Sequence, residues 1–452
     1  MSEFPTTTLG ALASKEPYSI AIGPFGSKMK ADTYVDSGIP VIRGTNIGRS
    51  RNLKGDWVYI TEDLAATMPN CLLQEGDLVF PHRGSIGEVG LIDGAHVPIF
   101  LSSSMMKFRP DPCKLLSRYA YYYFRSEQGK QEILRFASSV GTPGIGQPLA
   151  SMRQFSIPLP DLCEQASIAD VISSLDDKIE LNRRMNETLE GMAQAIFQEW
   201  FVDFGPTRRK AAGEANPQAV MGGLTPHPVR AAELAGIFPS AFGDDGLPLG
   251  WNETPIGDLV NLAGGSTPST VDESLWSPGV HHWATPKDLS GLDDFALFNT
   301  GRKISDAGLA KITSGLLPVG SVLLSSRAPI GYLAIAQVEV AINQGFIGLE
   351  PTQNIGSGFL YCWCKANMPT IVANANGSTF QEISKRNFRP ITSPMPDNRV
   401  AISAFGNVVE PLFARIVTAA AESRALAETR DYLLPRLMSG GLSVAPVNSE
   451  RL

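Results

Sequence analysis

Residues 161–204 read DLCEQASIADVISSLDDKIELNRRMNETLEGMAQAIFQEWFVDF, and their apolar residues recur at alternating steps of four and three. One row of this pattern runs Ile168, Leu175, Asn182, Leu189 and Ile196, and the other runs Ile172, Ile179, Asn186, Ala193 and Trp200. A seven-residue repeat sustained over this length is typical of a coiled-coil seam, whereas an ordinary surface helix repeats every 3.6 residues. We therefore predict a long helix that packs along another helix.

A second stretch, residues 397–440, has the same seven-residue pattern. Its rows are Ile402, Val409, Ile416, Ser423, Arg430 and Leu437, and Phe405, Leu412, Ala419, Leu426 and Leu433. Two such helices in one chain most simply pair with each other in antiparallel orientation, and about 40 residues span roughly 60 Å. The residues predicted to form this spacer and subunit interface are Ile168, Ile172, Leu175, Ile179, Asn182, Leu189, Ile196, Val409, Leu412, Ile416, Leu426 and Leu433.

Polar seam residues such as Asn182 and Asn186 lower the stability of a coiled coil but fix its register. The alternative is that they are solvated near frayed helix ends. Pro435 is expected to kink or stop the second helix, because proline removes a backbone donor. Gly440-Gly441 is expected to end it.

A long-period internal repeat relates the rest of the chain. The strings Gly76–Val79, Arg83 and Ile86-Gly87 are echoed at an offset of 244 by Gly320–Leu323, Arg327 and Ile330-Gly331. Pro158-Leu159-Pro160-Asp161 and Pro394-Met395-Pro396-Asp397 precede the two helical patterns at an offset of 236. A period above 200 residues predicts a duplicated domain, because solenoid and propeller repeats are much shorter.

The predicted fold class is α/β (α+β), with two duplicated domains separated by two long antiparallel helices in a pseudo-twofold arrangement. The predicted segments are a first domain at 1–160, a spacer helix at 161–204, a linker at 205–247, a second domain at 248–396, a distal spacer helix at 397–440 and a tail at 441–452. Short apolar runs predict strands at Pro40–Arg43, Asp77–Phe80, Val89–Ile92, Val322–Ser325 and Tyr332–Ala336. Leu115–Phe136 is predicted to be one helix. The Pro-, Gly- and Ala-rich linker is predicted to be irregular, with a possible short helix near Val229–Leu234.

The net charge of the chain is −7, from 38 basic and 45 acidic residues, which argues against a uniformly basic nucleic-acid coat. Residues 161–204 contain ten acidic and three basic residues, so this segment accounts for the whole net charge. DNA would repel such a helix, which is therefore expected to face another protein or solvent.

Basic residues cluster in both globular copies, among Asn, Gln, Ser and Thr. This composition suits duplex DNA, because cations bind phosphates while guanidinium and amide groups read base edges. Any single lysine could equally be an ordinary solvated side chain. The candidate DNA-binding residues are Lys28, Lys30, Arg43, Asn46, Arg49, Arg51, Arg83, Arg153, Lys287, Arg327, Lys385, Arg386 and Arg389.

No catalytic or metal-binding motif stands out in the sequence. Gly129-Lys130 is followed by Gln131 and does not complete a phosphate-binding loop, and the five cysteines and five histidines lack the spacing of a zinc site. The few cysteines suit a reducing compartment. Neither a secretory signal nor a bilayer-spanning run is recognised, so a cytoplasmic protein is expected.

Several strings resemble the specificity (S) subunit of type I restriction-modification systems. Gly23–Ser27 with Gly38–Gly44 is similar to the opening of one kind of target recognition domain, and Gly264–Pro268 with Trp283–Leu289 is similar to the opening of another. Leu175–Ile179 and Leu433–Gly440 are similar to the two conserved spacer helices of that family.

The resemblance implies that each domain reads one half of a split DNA sequence and that the paired helices separate the halves. It also implies a non-catalytic chain whose partners are double-stranded DNA, two methylation (M) subunits and possibly two restriction (R) subunits. S-adenosylmethionine, ATP and Mg would belong to those partners, and this chain would bind no cofactor. The alternatives are a non-catalytic coiled-coil scaffold that does not bind DNA, and an enzyme, for which no residue set is found.

Overall fold

The computed structural model describes residues 4–24, 29–48, 51–94, 97–138, 144–377 and 381–444. They belong to two compact units. The first unit is Met1–Leu181 with Ser423–Leu452, and the second is Asn182–Glu422. Each unit has its own hydrophobic cores.

The first unit is built on two four-stranded sheets and two short ladders. Its strands are β1 Thr6–Thr8, β2 Ile20–Ile22, β3 Ile39–Ile42, β4 Val58–Ile60, β5 Leu72–Leu73, β6 Leu78–Pro81, β7 Gly90–Leu91, β8 Ile99–Leu101, β9 Met105–Phe108, β10 Ala137–Ser138, β11 Gly144–Ile145 and β12 Ser156–Pro158. Its helices are α1 Leu9–Leu12, α2 Glu62–Ala66, α3 Ser117–Arg125, α4 Glu127–Leu134, α5 Pro148–Gln154 and α6 Leu162–Phe197, the last of which continues into the second unit. The strand orders are β2-β9-β6-β7 and β4-β3-β8-β5, and the two ladders are β1·β12 and β10·β11.

The second unit has a five-stranded sheet, a three-stranded sheet and a two-stranded ladder. Its helices are α7 Gly205–Ala211, α8 Pro217–Val220, α9 Pro228–Ile237, α10 Ile256–Leu259, α11 Pro286–Leu289, α12 Asp306–Leu309, α13 Ser357–Ala366, α14 Met368–Ala373, α15 Lys385–Phe388 and α16 Val400–Ser439, which continues into the first unit. Its strands are β13 Trp251–Pro255, β14 Asn261–Gly264, β15 His281–Ala284, β16 Ala296–Leu297, β17 Arg302–Ile304, β18 Val322–Ser326, β19 Ile330–Ala336, β20 Val340–Ile342, β21 Phe346–Glu350 and β22 Thr392–Pro396.

The strand orders show that the two copies share a common core topology, in which β2-β9-β6-β7 matches β14-β21-β18-β19 and β4-β3-β8 matches β17-β15-β20, whereas β5 and β16 each belong to one copy. In the second unit the orders are β14-β21-β18-β19-β16 and β17-β15-β20, and β13 pairs with β22. The strands β3 and β15 are equivalent, because each lies between one antiparallel and one parallel neighbour in its sheet. The ladders β1·β12 and β13·β22 both come just before a long helix. The internal repeat predicted from the sequence is therefore confirmed as a repeat of the fold.

The repeated glycines Gly76 and Gly320 have a physical reason to be glycine. Their φ angles are +86° and +91°, in the left-handed region that side chains disfavour. A Cβ added to either would lie close to the hydroxyl of Ser117 or Ser357, respectively. Both glycines thus set the turn that enters a central strand, β6 or β18.

The long helices α6 and α16 pack against each other in antiparallel orientation, as predicted. In the second unit, Asn182 donates to the carbonyl of Ala419 at 3.3 Å and to Glu422 at 2.8 Å, while Phe197 lies 5.7 Å from Phe405. In the first unit, Arg430 of α16 donates to Asp176 of α6 at 2.7 Å. Asn182 and Asn186 are buried, so the alternative that they lie at frayed ends is wrong.

The prediction that the second long helix could stop at Pro435 was wrong, because α16 runs through Pro435 to Ser439. Gly440 follows with a φ of +79°, as predicted for the glycine that ends the helix. The predicted helix Leu115–Phe136 is two helices, α3 and α4, because Ser126 adopts an extended conformation and caps α4 by accepting from the amide of Gly129.

The segment 205–247 is not irregular throughout, because three short helices, α7, α8 and α9, make up about half of it. Val220 of α8, Leu234 of α9 and Phe238, which follows α9, lie in the largest core of the second unit. The predicted short helix near Val229–Leu234 lies inside α9. The Pro-rich composition was misleading because proline occupies the first turn of each helix, where it is tolerated.

By length and composition alone, α16 is apolar enough to cross a membrane, in contrast to the sequence expectation. Several of its apolar residues, including Val409, Phe413 and Ile416, lie in the core of the second unit. Their place inside the protein explains the apolar composition of this helix.

Candidate nucleic-acid interface

Four turns of the first unit meet where the parallel strands β3 and β8 end. The amide of Ser102, just after β8, donates to the carbonyl of Ile42 at 3.1 Å, and His82, just after β6, donates to Ser104 at 2.9 Å. A Cβ on Gly23 would lie 1.8 Å from the carbonyl oxygen of Ser102, so only glycine allows this crossing. We call residues 23–24, 43–46, 82–85 and 102–104 the first turn cluster.

The second unit repeats this construction at the ends of β15 and β20. Asn343 donates its amide to Ala284 at 3.0 Å, and Ser326 donates to Gly345 at 2.8 Å. A Cβ on Gly265 would lie 1.8 Å from the carbonyl oxygen of Ile342, as at Gly23. We call residues 265–269, 285–288, 326–329 and 343–345 the second turn cluster. Open α/β folds commonly bind ligands at the carboxyl ends of parallel strands.

The predicted residues Arg43 and Asn46 shape the first turn cluster from within. Asn46 is fully buried, accepts from the amide of Arg43 at 2.9 Å and donates to the carbonyl of Lys54 at 3.0 Å. The half-buried Arg43 donates to the carbonyl of Asp56. Asn46 therefore uses its amide to hold the turn, and it does not present that amide at the surface.

In the second turn cluster, a Thr–Asp pair holds the turn, as Asn46 does in the first. Asp288 accepts from the amide of Thr285 at 2.7 Å and from its hydroxyl at 2.7 Å. This capping box fixes the short helix α11 and leaves the predicted Lys287 exposed on it.

Other predicted cations lie at or beside these clusters. Arg83 is exposed in the first turn cluster, and Arg327 of the second forms an ion pair with Glu382 at 3.6 Å. Lys385 packs against Gly264: a Cβ added to that glycine would lie 3.1 Å from the Nζ of Lys385. Lys30 and Arg386 are exposed on neighbouring segments.

Arg153 and Arg389 lie outside the turn clusters, at positions that are equivalent in the two units. They are exposed and lie beside Gly10 and Gly257, in the segments that follow β1 and β13. Arg389 donates to the carbonyl of Gly257 at 3.1 Å. The predicted residues Lys28 and Arg49 lie outside the described residues.

Arg51 contacts the acidic helix. It forms an ion pair with Asp177 of α6 at 2.9 Å. At least six of the ten acidic residues at 161–204 are paired with bases of this chain, through Asp170–Arg118, Asp176–Arg430, Asp177–Arg51, Glu187–Arg183, Glu190–Lys365 and Glu199–Arg209. Ion pairs within the chain therefore balance part of this helix's negative charge, while Asp170, Asp177 and Glu187 remain exposed to solvent.

The first unit also contains a buried charged network beside β6 and β9. Asp77 accepts from Arg109 at 2.7 and 3.0 Å, and Lys107 lies 3.7 Å from the same carboxylate and donates to the carbonyl of Leu72 at 2.6 Å. Burial lowers the pKa of Lys107, which Asp77 opposes. Burial also lowers the pKa of His82, whose Nε2 lies 3.0 Å from the carbonyl of Ser103.

Sequence reasoning missed an arginine and two tryptophans of the second unit. Arg302 lies 3.5 Å over the ring of Trp276 and 5.7 Å from that of Trp283. Strand register explains why, since Arg302 pairs with Trp283 across β15 and β17. Only the two nearby tryptophans in the sequence hinted at this site. Within the described ranges, no group of three His, Cys, Asp or Glu side chains is placed to hold a metal ion.

Two copies of one α/β domain, each with exposed cations at its turn cluster, define a class of proteins with two equivalent candidate binding surfaces. The family model of the type I restriction modification DNA specificity domain matches residues 25–191 and 248–400. The chain belongs to this family. It is therefore a non-catalytic DNA sequence-recognition subunit that acts with DNA and with other restriction-modification subunits, as the sequence predicts.

Individual relatives agree with this assignment. The type I restriction enzyme HindI specificity subunit of Haemophilus influenzae is 27% identical over 410 residues, which cover 81% of this chain and 87% of that protein. The MjaIX specificity subunit of Methanocaldococcus jannaschii is 33% identical over 172 residues, 36% of this chain and 40% of that protein. The crystal structure of a type I restriction-modification S subunit from M. genitalium shares the fold, with a TM-score of 0.55, 16% identity and 96% coverage of both chains.

Proposed function

We propose that this chain reads a DNA target in two parts, with recognition domains at 1–160 and 248–396 that each read one half-site. The paired helices α6 and α16 set the separation of the half-sites. Two methylation subunits dock on these helices, up to two restriction subunits join them, and the complex acts in the cytoplasm. S-adenosylmethionine, ATP and Mg are bound by those partners.

One observation carries the proposal. The two turn clusters are built alike, at the carboxyl ends of β3 and β8 and of β15 and β20. Each includes a glycine at which an added Cβ would lie 1.8 Å from a backbone carbonyl oxygen. Exposed cations, Arg83 in one and Lys287 in the other, suit phosphates and base edges. Two equivalent sites in one chain fit two half-sites.

The test is selection from a pool of 40-base-pair duplexes with a randomised centre, using the full chain co-expressed with its methylation subunits. The enriched duplexes should contain two fixed blocks separated by a constant number of variable base pairs. Lys287→Ala should weaken binding and lower its salt dependence by about one counterion. Arg230→Ala is the matched control, because Arg230 is exposed on α9, outside both clusters. Enrichment of no sequence, with the complex intact, would favour the scaffold alternative.

A further inference from the structure

Arg302 is held in a fixed orientation at the edge of the second turn cluster. Strand β17 is antiparallel to β15, and Arg302 pairs with Trp283 near the carboxyl end of β15. The guanidinium carbon lies 3.5 Å from the centre of the Trp276 ring, a short cation–π distance. The side chain is exposed, so its donors can reach a ligand.

The two tryptophans are themselves fixed. The indole N–H of Trp276 donates to the carbonyl of Ser269 at 2.8 Å, and that of Trp283 donates to Ser266 at 3.1 Å. Their rings meet edge to face at 5.1 Å. Both acceptors belong to the loop of the second turn cluster, which therefore anchors the surface on which Arg302 lies.

A polar partner completes this edge. Thr267 of the same loop donates to the side-chain oxygen of Gln344 at 2.6 Å, and Gln344 follows β20. That bond uses the side-chain oxygen of Gln344, and the two donors of its amide nitrogen take no part in it. A guanidinium and an amide at one edge are the two side-chain groups best suited to paired hydrogen bonds with guanine and adenine in the major groove.

The position of the first unit that matches Arg302 is Val58, which lies opposite Val41 on the central strand β3. A contact to the DNA backbone carries no sequence information and would serve both half-sites. A fixed arginine in only one copy instead suits the sequence of one half-site.

We propose that Arg302 is a specificity-determining residue that reads one base pair, as a bidentate donor to guanine, in the half-site bound by the second domain. This inference rests on the proposed function. The tryptophan surface holds the guanidinium plane before DNA binds, so little side-chain freedom is lost on recognition. The adjacent Lys303 points from the same strand toward the opposite face of the sheet, since successive side chains alternate.

The experiment repeats the selection from the randomised 40-base-pair pool with the co-expressed complex carrying Arg302→Ala, Arg302→Lys or Lys303→Ala. Arg302→Ala should lose preference at a single base pair of one block, with about a ten- to hundredfold fall in discrimination there, while the other block stays unchanged. Arg302→Lys should retain part of the preference, because lysine keeps the charge but loses the fork. Lys303→Ala, the matched loss of one charge, should keep both blocks.

The outcomes separate this inference from the proposed function. If the unchanged chain selects two blocks and Arg302→Ala selects the same two, Arg302 reads no base and the inference is wrong. A uniform loss of affinity with both blocks intact would make Arg302 a phosphate contact and would also overturn it. If the unchanged chain selects no blocks at all, the proposed function fails and the inference fails with it. Thermal unfolding of each variant checks that the complex is folded.

Discussion

Lengthening the paired helices by whole heptads should lengthen the gap between the half-sites. The insertions go between Leu181 and Asn182 in α6 and between Glu422 and Ser423 in α16, because Asn182 bonds to Glu422 and the two points lie side by side. Copies of residues 175–181 and 416–422 continue the seam in both helices. Matched insertions keep the antiparallel pairing, whereas an insertion in one helix alone would break it.

The expected gap follows from the rise of the helices. One heptad adds about 10 Å, at 1.5 Å per residue, or about three base pairs at 3.4 Å each. Three base pairs also rotate the second half-site by about 100° around the duplex, while a heptad turns the helix pair by only about 20°. One added heptad should therefore give a longer gap with weakened binding. Three added heptads, about 32 Å, approach one full DNA turn and should restore binding with a gap about nine or ten base pairs longer.

The assay is selection from duplex pools whose randomised centre is long enough for every gap. A matched insertion of seven residues between Gly223 and Leu224, in an exposed turn outside both long helices, should leave the gap unchanged. If the helix insertions, in a folded complex, select the original gap, the helices do not set the separation of the half-sites. If one added heptad binds as tightly as three, the rotational phase of the DNA does not matter either.

Three further predictions concern single residues. Asp77→Asn should lower the free energy of unfolding by about 3–5 kcal/mol in denaturant titrations, because it leaves the buried Lys107 unpaired; a change below about 1 kcal/mol would contradict this. His82 has a lowered pKa in the folded protein, so the unfolded chain takes up its proton first and stability should fall as the pH drops below about 6.5; His82→Asn should flatten that part of the pH–stability curve, and an unchanged slope would count against it. Arg83→Ala should reduce the salt dependence of DNA binding by about one counterion. Arg51→Ala should leave that salt dependence unchanged and lower the free energy of unfolding by less than about 1 kcal/mol, because Arg51 is paired with Asp177. Equal salt effects of the two variants would contradict this difference between Arg83 and Arg51.

The long helices and the repeat could be predicted because their signals are local or periodic. The seam pattern from Ile168 to Trp200 requires only that the helix have one buried face, and the structure buries Asn182 with its apolar neighbours. The strands near Gly76 and Gly320 follow from turn glycines and short apolar runs. The strand predicted at Val89–Ile92 is shorter in the structure, at Gly90–Leu91.

The candidate site was harder to predict because its residues meet through strand register. Arg302 and Trp283 are far enough apart in sequence that only the pairing of β17 with β15 brings them together. Arg51 was grouped with its basic neighbours, but its position beside α6 gives it Asp177 as a partner. Composition also misled at 205–247, where burial of Phe238 and Leu234 outweighs the abundance of proline and glycine.

The first unit takes chain from both ends of the sequence, Met1–Leu181 and Ser423–Leu452, whereas the second is the uninterrupted stretch Asn182–Glu422. One continuous piece of the gene therefore encodes an entire reading module together with its share of both helices. Recombination at two points could replace that piece as a cassette without dividing any of the hydrophobic cores. Such an exchange would give a host a new half-site preference while the remaining module kept its own.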